Sequence, residues 1–310
     1  MASPSAPPPP VRLFAPSEER RRSLTVVGGH PYGVRDLYHS LLAASWKQVI
    51  GLVTLVFLLI NALFGLAYWA VGGIANADPA SFKDHFFFSI HTFGTIGYGS
   101  MYPQSTPAEV LMTAEALTSL FMNAFVTGLA FARFARPTAR ATWSKVACIC
   151  DREGVPTLVI RVANERLNHV VDASMKVAVI RAEVTKEGER LRRVVDLTLA
   201  RSTSPSFILT WMAMHPITKE SPLYGMTPEQ LAASESEIIV TLTGLDETLG
   251  QTIHSRTSYL PNEIRYGQRF VDVIGGNRNG KRVVDLTKFH DTTPSPLTLE
   301  AMGLPPAEPR

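Results

Sequence analysis

Thr95-Ile96-Gly97-Tyr98-Gly99 is the stretch on which the reading of this 310-residue chain turns. Gly97 and Gly99 alternate with larger residues, and glycine adopts left-handed dihedrals without a Cβ clash. A backbone of alternating handedness turns successive carbonyl oxygens to one side, where they substitute for the water shell of a bare cation. Tyr98 then faces away and braces the row, while the Thr95 hydroxyl completes its inner end. A Gly-rich turn after a short apolar helix is the plainer alternative, so the flanks decide between the two.

From Gln48 to Ala77 no acidic or basic side chain occurs. That run exceeds the roughly 20 apolar residues a helix needs to cross a hydrocarbon core of ~30 Å. Trp46 at one end and Tyr68-Trp69 at the other suit interfacial anchors. A second apolar run, about Ala108 to Ala132, holds Glu115 as the charge within its body. Between the two, Phe82 to Phe93 predicts an apolar helix too short to span. It reads as a re-entrant helix feeding the 95–99 run, because non-helical backbone survives at membrane depth only where it lines a cavity.

Arg12, Arg20, Arg21, Arg22, Arg35 and Lys47 precede the first run, and Arg133, Arg136, Arg140 and Lys145 follow the second. The loop between them offers Lys83 as its base, so both termini are expected on the cytoplasmic side. The Pro-rich start lacks a basic segment followed by an apolar core, and no cleavable signal peptide is expected. A net charge of +3 is too small to argue for nucleic acid.

Five segments follow. Residues 1–31 form an N-terminal segment whose Pro-rich start is expected to be disordered. Residues 32–45 predict an amphipathic helix along the membrane surface, with Val34, Leu37, Tyr38, Leu41 and Leu42 on one face. The pore domain spans 46–137, a β domain 138–292, and a disordered Pro-rich tail 293–310. In the β domain the expected strands are 157–162, 174–184, 191–199, 207–211, 237–242, 269–274 and 282–286, a pattern that suggests an all-β sandwich. Thr227-Pro228-Glu229-Gln230 predicts a capped helix start within it. Cys148 and Cys150 lack a nearby His to complete a zinc site and read as reduced core residues on one strand face.

These features together resemble the inward-rectifier potassium channels of prokaryotic, or KirBac, type. The resemblance covers about residues 32–292 and rests on Thr95–Gly99, on Phe88-Ser89-Ile90-His91-Thr92, and on Gly128 through Arg136-Pro137. Ser255 through Pro261, His215-Pro216-Ile217 and Ser221-Pro222-Leu223-Tyr224 match it as well. It implies two transmembrane helices with a re-entrant pore helix and filter, followed by an immunoglobulin-like cytoplasmic vestibule. It also implies a homotetramer in the cell's inner (plasma) membrane. K⁺ ions would be held by Thr95, Ile96, Gly97, Tyr98 and Gly99, with no organic cofactor and no catalytic residue.

Helical geometry puts Leu120, Asn123, Thr127 and Phe131 on one stripe of the second span. By resemblance this stripe lines a cavity, where an acidic residue at the Asn123 position strengthens block by internal polyamines or Mg²⁺. A neutral Asn123 therefore implies mild rectification. Phe131 matches a bulky ring at the inner-helix crossing, a hydrophobic gate, with packing between neighbouring helices as the alternative. Relatives outside bacteria often pair a Glu at the His91 position with an Arg at the Met101 position. That pair is missing here, so His91 and Glu115 become candidates for bracing the filter. Glu115 lies at an angle to the stripe, which favours hydrogen bonding behind the filter over facing the pore.

Lys47, Arg133, Arg136, Arg140 and Lys145 suit an anionic lipid surface, each gaining about 1 kcal/mol there; the resemblance narrows that to a phosphoinositide or similar head group. Asp172 matches an acidic ring position, and Asp246 and Glu247 fall in the expected cytoplasmic constriction, where repeated carboxylates concentrate cations. The alternative function is a two-helix potassium channel gated by a different cytoplasmic ligand. A nucleotide-binding version requires a Gly-rich turn between strand and helix that Gly275-Gly276 does not supply. Nothing groups a nucleophile with a base, so the chain does not read as an enzyme.

Overall fold

The computed structural model describes residues 12, 37–135, 139–278 and 281–305. Arg20, Arg21, Arg22, Arg35, Val34 and Arg136 lie outside them. The chain forms two compact units, one of Gly28–Arg136 and one of Met1–Val27 with Pro137–Arg310.

The first unit holds four helices: α1 (Leu37–Ala43), α2 (Trp46–Val71), α3 (Phe82–Phe93) and α4 (Thr106–Phe134). Serines cap the last three. Ser45 forms a reciprocal capping box with Gln48, Ser81 accepts from the Asp84 amide, and Ser105 accepts from the Ala108 amide. Glu109, in the first turn of α4, is a second carboxylate of the second apolar run. It sits at the positive end of the helix, where a carboxylate is favoured. Helices α2 and α4, of 26 and 29 residues, are long and apolar enough to cross a bilayer. Leu55, Leu59, Leu63 and Leu66 leave an exposed apolar stripe on α2 suited to acyl chains.

Gly65 lets α2 and α3 meet backbone to backbone, since a Cβ there would stand 2.8 Å from the Phe86 Cα. Strand β1 (Ile74–Ala75) pairs antiparallel with β2 (Tyr102–Pro103), joining the loop after α2 to the segment that enters α4. One expectation fails here. Tyr68 is wholly buried rather than an interfacial anchor, because its hydroxyl finds a partner inside the helix packing. Trp46 and Trp69 remain exposed in part.

The second unit is a β-sandwich. Its strands are β3 (Ala141–Trp143), β4 (Ala147–Arg152), β5 (Val155–Asn164), β6 (Val170–Val184), β7 (Arg190–Leu197), β8 (Thr203–Phe207), β9 (Thr210–Pro216), β10 (Glu237–Asp246), β11 (Gln251–Tyr259) and β12 (Ile264–Tyr266). One sheet runs β11-β10-β6-β7 with β8 also on β6; the other runs β12-β4-β5-β3 with β9 also on β5. Ile149, Leu158, Ile160 and Val162 from one sheet meet Met175, Val177, Val179, Ile238, Val240 and Leu242 from the other in a single core. The short helix α5 (Pro228–Ala233) starts on the Thr227–Gln230 capping box that the sequence predicts.

Strand β5 is buried on both faces, which is why it reads as a continuous apolar run rather than an alternation. Its second face carries Val159, Arg161 and Ala163. Cys148 and Cys150 of β4 lie beside them on the same face, and Phe270, Val273 and Phe289 cover it. The covering segment contains β13 (Gln268–Phe270), β14 (Ile274–Arg278), β15 (Lys281–Val284) and β16 (Thr292–Pro294).

Two further expectations are corrected. The segment after residue 292 is not a disordered tail as far as residue 305. It adds β16 to β13, and Met302 and Leu304 are buried in the sandwich core. The strand expected over 207–211 is two strands, β8 and β9, separated by a bend at Ile208-Leu209 that passes from one sheet to the other and whose apolar residues conceal it.

Candidate ion-conducting site

Helix α3 ends at Gly94, and the chain leaves it through hydrogen bonds from the Thr95 amide to Thr92 O (3.1 Å) and from the Ile96 amide to His91 O (2.9 Å). The next residues alternate in handedness. Thr95, Gly97 and Gly99 have φ of 53°, 66° and 73°, while Ile96 and Tyr98 stay on the ordinary side. No atom of the chain crowds a Cβ at Gly97 or Gly99, so the left-handed backbone, not space, asks for glycine there. This is the dihedral pattern that points a row of carbonyls one way. The Tyr98 ring turns back onto His91, edge to face, with centroids 5.1 Å apart.

Behind this row helices α2, α3 and α4 are joined by buried polar groups. Glu115 of α4 is fully buried and accepts from the Tyr68 hydroxyl of α2 at 2.7 Å. It also meets the Ser89 hydroxyl of α3 at 2.5 Å, and Ser89 in turn lies 3.1 Å from Asn61 Oδ1 of α2. One turn further along α4, the Ser119 hydroxyl donates to Phe93 O at 2.5 Å. Leu120, Asn123, Thr127 and Phe131 are exposed along α4 in the single chain. Phe131 is 74% exposed, so it is not packed within its own subunit.

The basic residues divide. Lys47, Arg140 and Lys145 are exposed. Arg133 is not free for a head group: its guanidinium donates to Leu41 O and, at 2.6 Å, to Ala44 O, and lies 4.7 Å over the Trp46 ring. It answers the unpaired carbonyls and negative end of α1.

The acidic residues divide as well. Asp172 is exposed at a bulge in β6, opposite Gly244, with φ of 48°. Glu247 is exposed too. Asp246 is corrected: at 2% exposure its carboxylate caps the β10–β11 turn, accepting from the Thr248 and Leu249 amides, with Arg166 3.8 Å away. A carboxylate committed to a turn adds little field to a water-filled path.

Three residues escaped sequence reasoning. Arg161 is fully buried between the Phe270 and Phe289 rings (4.6 and 4.7 Å) and donates to Val271 O at 2.6 Å and to Phe289 O. Burial lowers its pKa. Ser89 and Asn61 each sit in an apolar run, and a polar residue at helix-packing depth was the available signal.

A model of the inward rectifier potassium channel transmembrane domain matches residues 28–137, and one of the inward rectifier potassium channel C-terminal domain matches residues 141–302. The chain belongs to the inward rectifier potassium channel family. It is 46% identical over 257 residues to "Inward rectifier potassium channel Kirbac3.1" of Paramagnetospirillum magnetotacticum, covering 83% of this chain and 87% of that one. It is 32% identical over 287 residues to mouse and human "ATP-sensitive inward rectifier potassium channel 15" (85% of this chain, 76% of each). This inward rectifier is thus a membrane channel of prokaryotic type and not an enzyme. Its His215 signature also has a structural reason. Nδ1 meets Thr198 O and Nε2 meets the Ser221 hydroxyl, both at 2.7 Å. A carbonyl only accepts, so Nδ1 carries the proton and Nε2 accepts from Ser221.

Proposed function

We propose that a homotetramer of this chain conducts K⁺ passively across the plasma membrane, with both termini cytoplasmic. Thr95 through Gly99 from each subunit form the selectivity filter. The alternating handedness at residues 95, 97 and 99 carries this reading, because it is the backbone a ring of carbonyl ligands requires. The negative end of α3 lies at the inner end of that row and favours a cation there.

Leu120, Asn123 and Thr127 line the cavity below, and Phe131 closes it by dewetting when the inner helices converge. Glu115 and His91 brace the filter from behind. Lys47, Arg140 and Lys145, with Arg136, meet anionic head groups, and Asp172 and Glu247 draw cations toward the pore. Radiotracer rubidium uptake into proteoliposomes is the test. Uptake blocked by Ba²⁺ and abolished by Gly97→Ala is expected; equal sodium and rubidium entry contradicts the proposal. Equal rates with and without phosphoinositide remove the lipid element alone.

A further inference from the structure

The hydrogen atoms around Glu115 do not suffice if it is a carboxylate. The Asn61 amide is oriented by its Nδ2, which donates to Phe57 O at 2.7 Å, so Oδ1 is the atom facing Ser89. Ser89 Oγ therefore has an acceptor on each side: Asn61 Oδ1 at 3.1 Å and Glu115 Oε1 at 2.5 Å. A serine hydroxyl owns one hydrogen. Were Glu115 ionised, one of these contacts would be two oxygens facing each other with no proton between them. The Tyr68 hydroxyl is spent on Oε2 at 2.7 Å. Among the described residues no lysine, arginine or histidine ion-pairs with Glu115.

We propose that Glu115 is held as a neutral carboxylic acid whose own proton completes a one-way chain of donors. Glu115 Oε1–H donates to Ser89, Ser89 donates to Asn61, and Asn61 donates to Phe57 O, while Tyr68 donates to Oε2. Every polar atom of the cluster is then paired, as burial at 0–1% exposure demands. A buried charge without a partner is also avoided. The chain crosses from α4 through α3 to α2, so one proton ties the helix that precedes the filter to both spanning helices. Glu115 is a positioning residue: it touches no ion, and it holds α3 where the filter leaves it. Only this functional consequence rests on the proposed conduction; the protonation itself does not.

Infrared spectroscopy of the purified channel in detergent or lipid tests it. The expected spectrum has a carbonyl stretch of a protonated carboxylic acid that shifts in D₂O only slowly, because the group is buried, and that E115Q removes. Gln supplies an amide donor to Ser89 and an acceptor to Tyr68, so E115Q should melt with the wild type, whereas S89A, which strands both the acid proton and Asn61, should melt lower. Absence of the band at neutral pH, or a band unchanged in E115Q, overturns the proposal. So does an E115Q channel less stable than S89A. None of these readouts uses ion flux, so failure here and failure of the conduction reading are distinguishable.

Discussion

The guanidinium of Arg133, at the end of α4, lies 4.7 Å over the Trp46 ring at the start of α2. The same group donates to Leu41 O and Ala44 O, binding the C-terminus of α1 to the last turn of the helix that carries Phe131. Charge-assisted hydrogen bonds are worth about 1.5–3 kcal/mol and a partly exposed cation–π contact about 1 kcal/mol. Arg133→Ala should therefore free α1. A spin label on α1 should become more mobile, and Arg133→Lys should recover only part of the loss because it lacks the planar fork. Unchanged label motion in Arg133→Ala would show that the contact does not restrain the helix.

Asn123 is exposed on α4, whereas Glu115 of the same helix is buried. Replacing it with Asp should lower the spermine concentration for half block by roughly tenfold. That is ~1.4 kcal/mol, modest beside the ~4 kcal/mol of two unit charges 4 Å apart at an effective dielectric of 20. Block curves that coincide with wild type would take Asn123 out of the conduction path.

Phe131→Ala should raise ion leak through closed channels, because an alanine leaves the narrowing too wide to dewet. Rubidium uptake under closing conditions reads this directly. Wild-type leak would assign Phe131 to packing between neighbouring subunits instead.

His215 gives the sandwich an acid limit. Burial lowers its pKa from the ordinary value of 6.5. Above that value the imidazole is neutral in both folded and unfolded chains. Below it the unfolded chain takes up a proton that the folded chain refuses, so stability falls as pH falls. Melting temperatures at about pH 7.5 and pH 5.5 should drop less for His215→Asn than for wild type. Equal acid sensitivity in the two would refute the assignment.

Arg161→Met should cost ~3 kcal/mol or more, since it strands the carbonyls of Val271 and Phe289 in a dry site. Arg161→Lys should not rescue it, because a point charge cannot reach both carbonyls and fill the slot between two rings. Hydrogen exchange should rise over residues 271–289 in particular. Unaltered protection there would leave Arg161 without a locking role.

Those last two sites differ in how far sequence reasoning reached. The apolar runs, the helix at 82–93 and the cap at Thr227 were legible because membrane depth and helix capping leave strong local patterns. The sandwich core was legible where alternation held, as in β10. Strand β11 was not recognised as a strand, because Gln251 to Ser258 is mostly polar and only its pairing with β10 makes it one. The order of residues 293–305 was hidden for a similar reason: Pro-rich composition is also compatible with a segment laid across a core. Charge alone hides the turn-capping role of Asp246 and leaves Arg161 without any assigned role. A charged residue is assumed to face water until carbonyls, rings or turn amides in the folded chain claim it.

Cys148 and Cys150 are the two cysteines of the chain, and both are buried in the second-face cluster of β5. Burial pushes the Cys148 thiol up to about 12, far above neutrality, so almost no thiolate is available there to an alkylating probe. For maleimide chemistry the natural protein therefore behaves as a blank background. A single cysteine introduced on an exposed site, such as Lys186 or Lys219, takes the fluorophore without first stripping out native sulfur. Distances between labelled subunits become measurable in an otherwise wild-type channel.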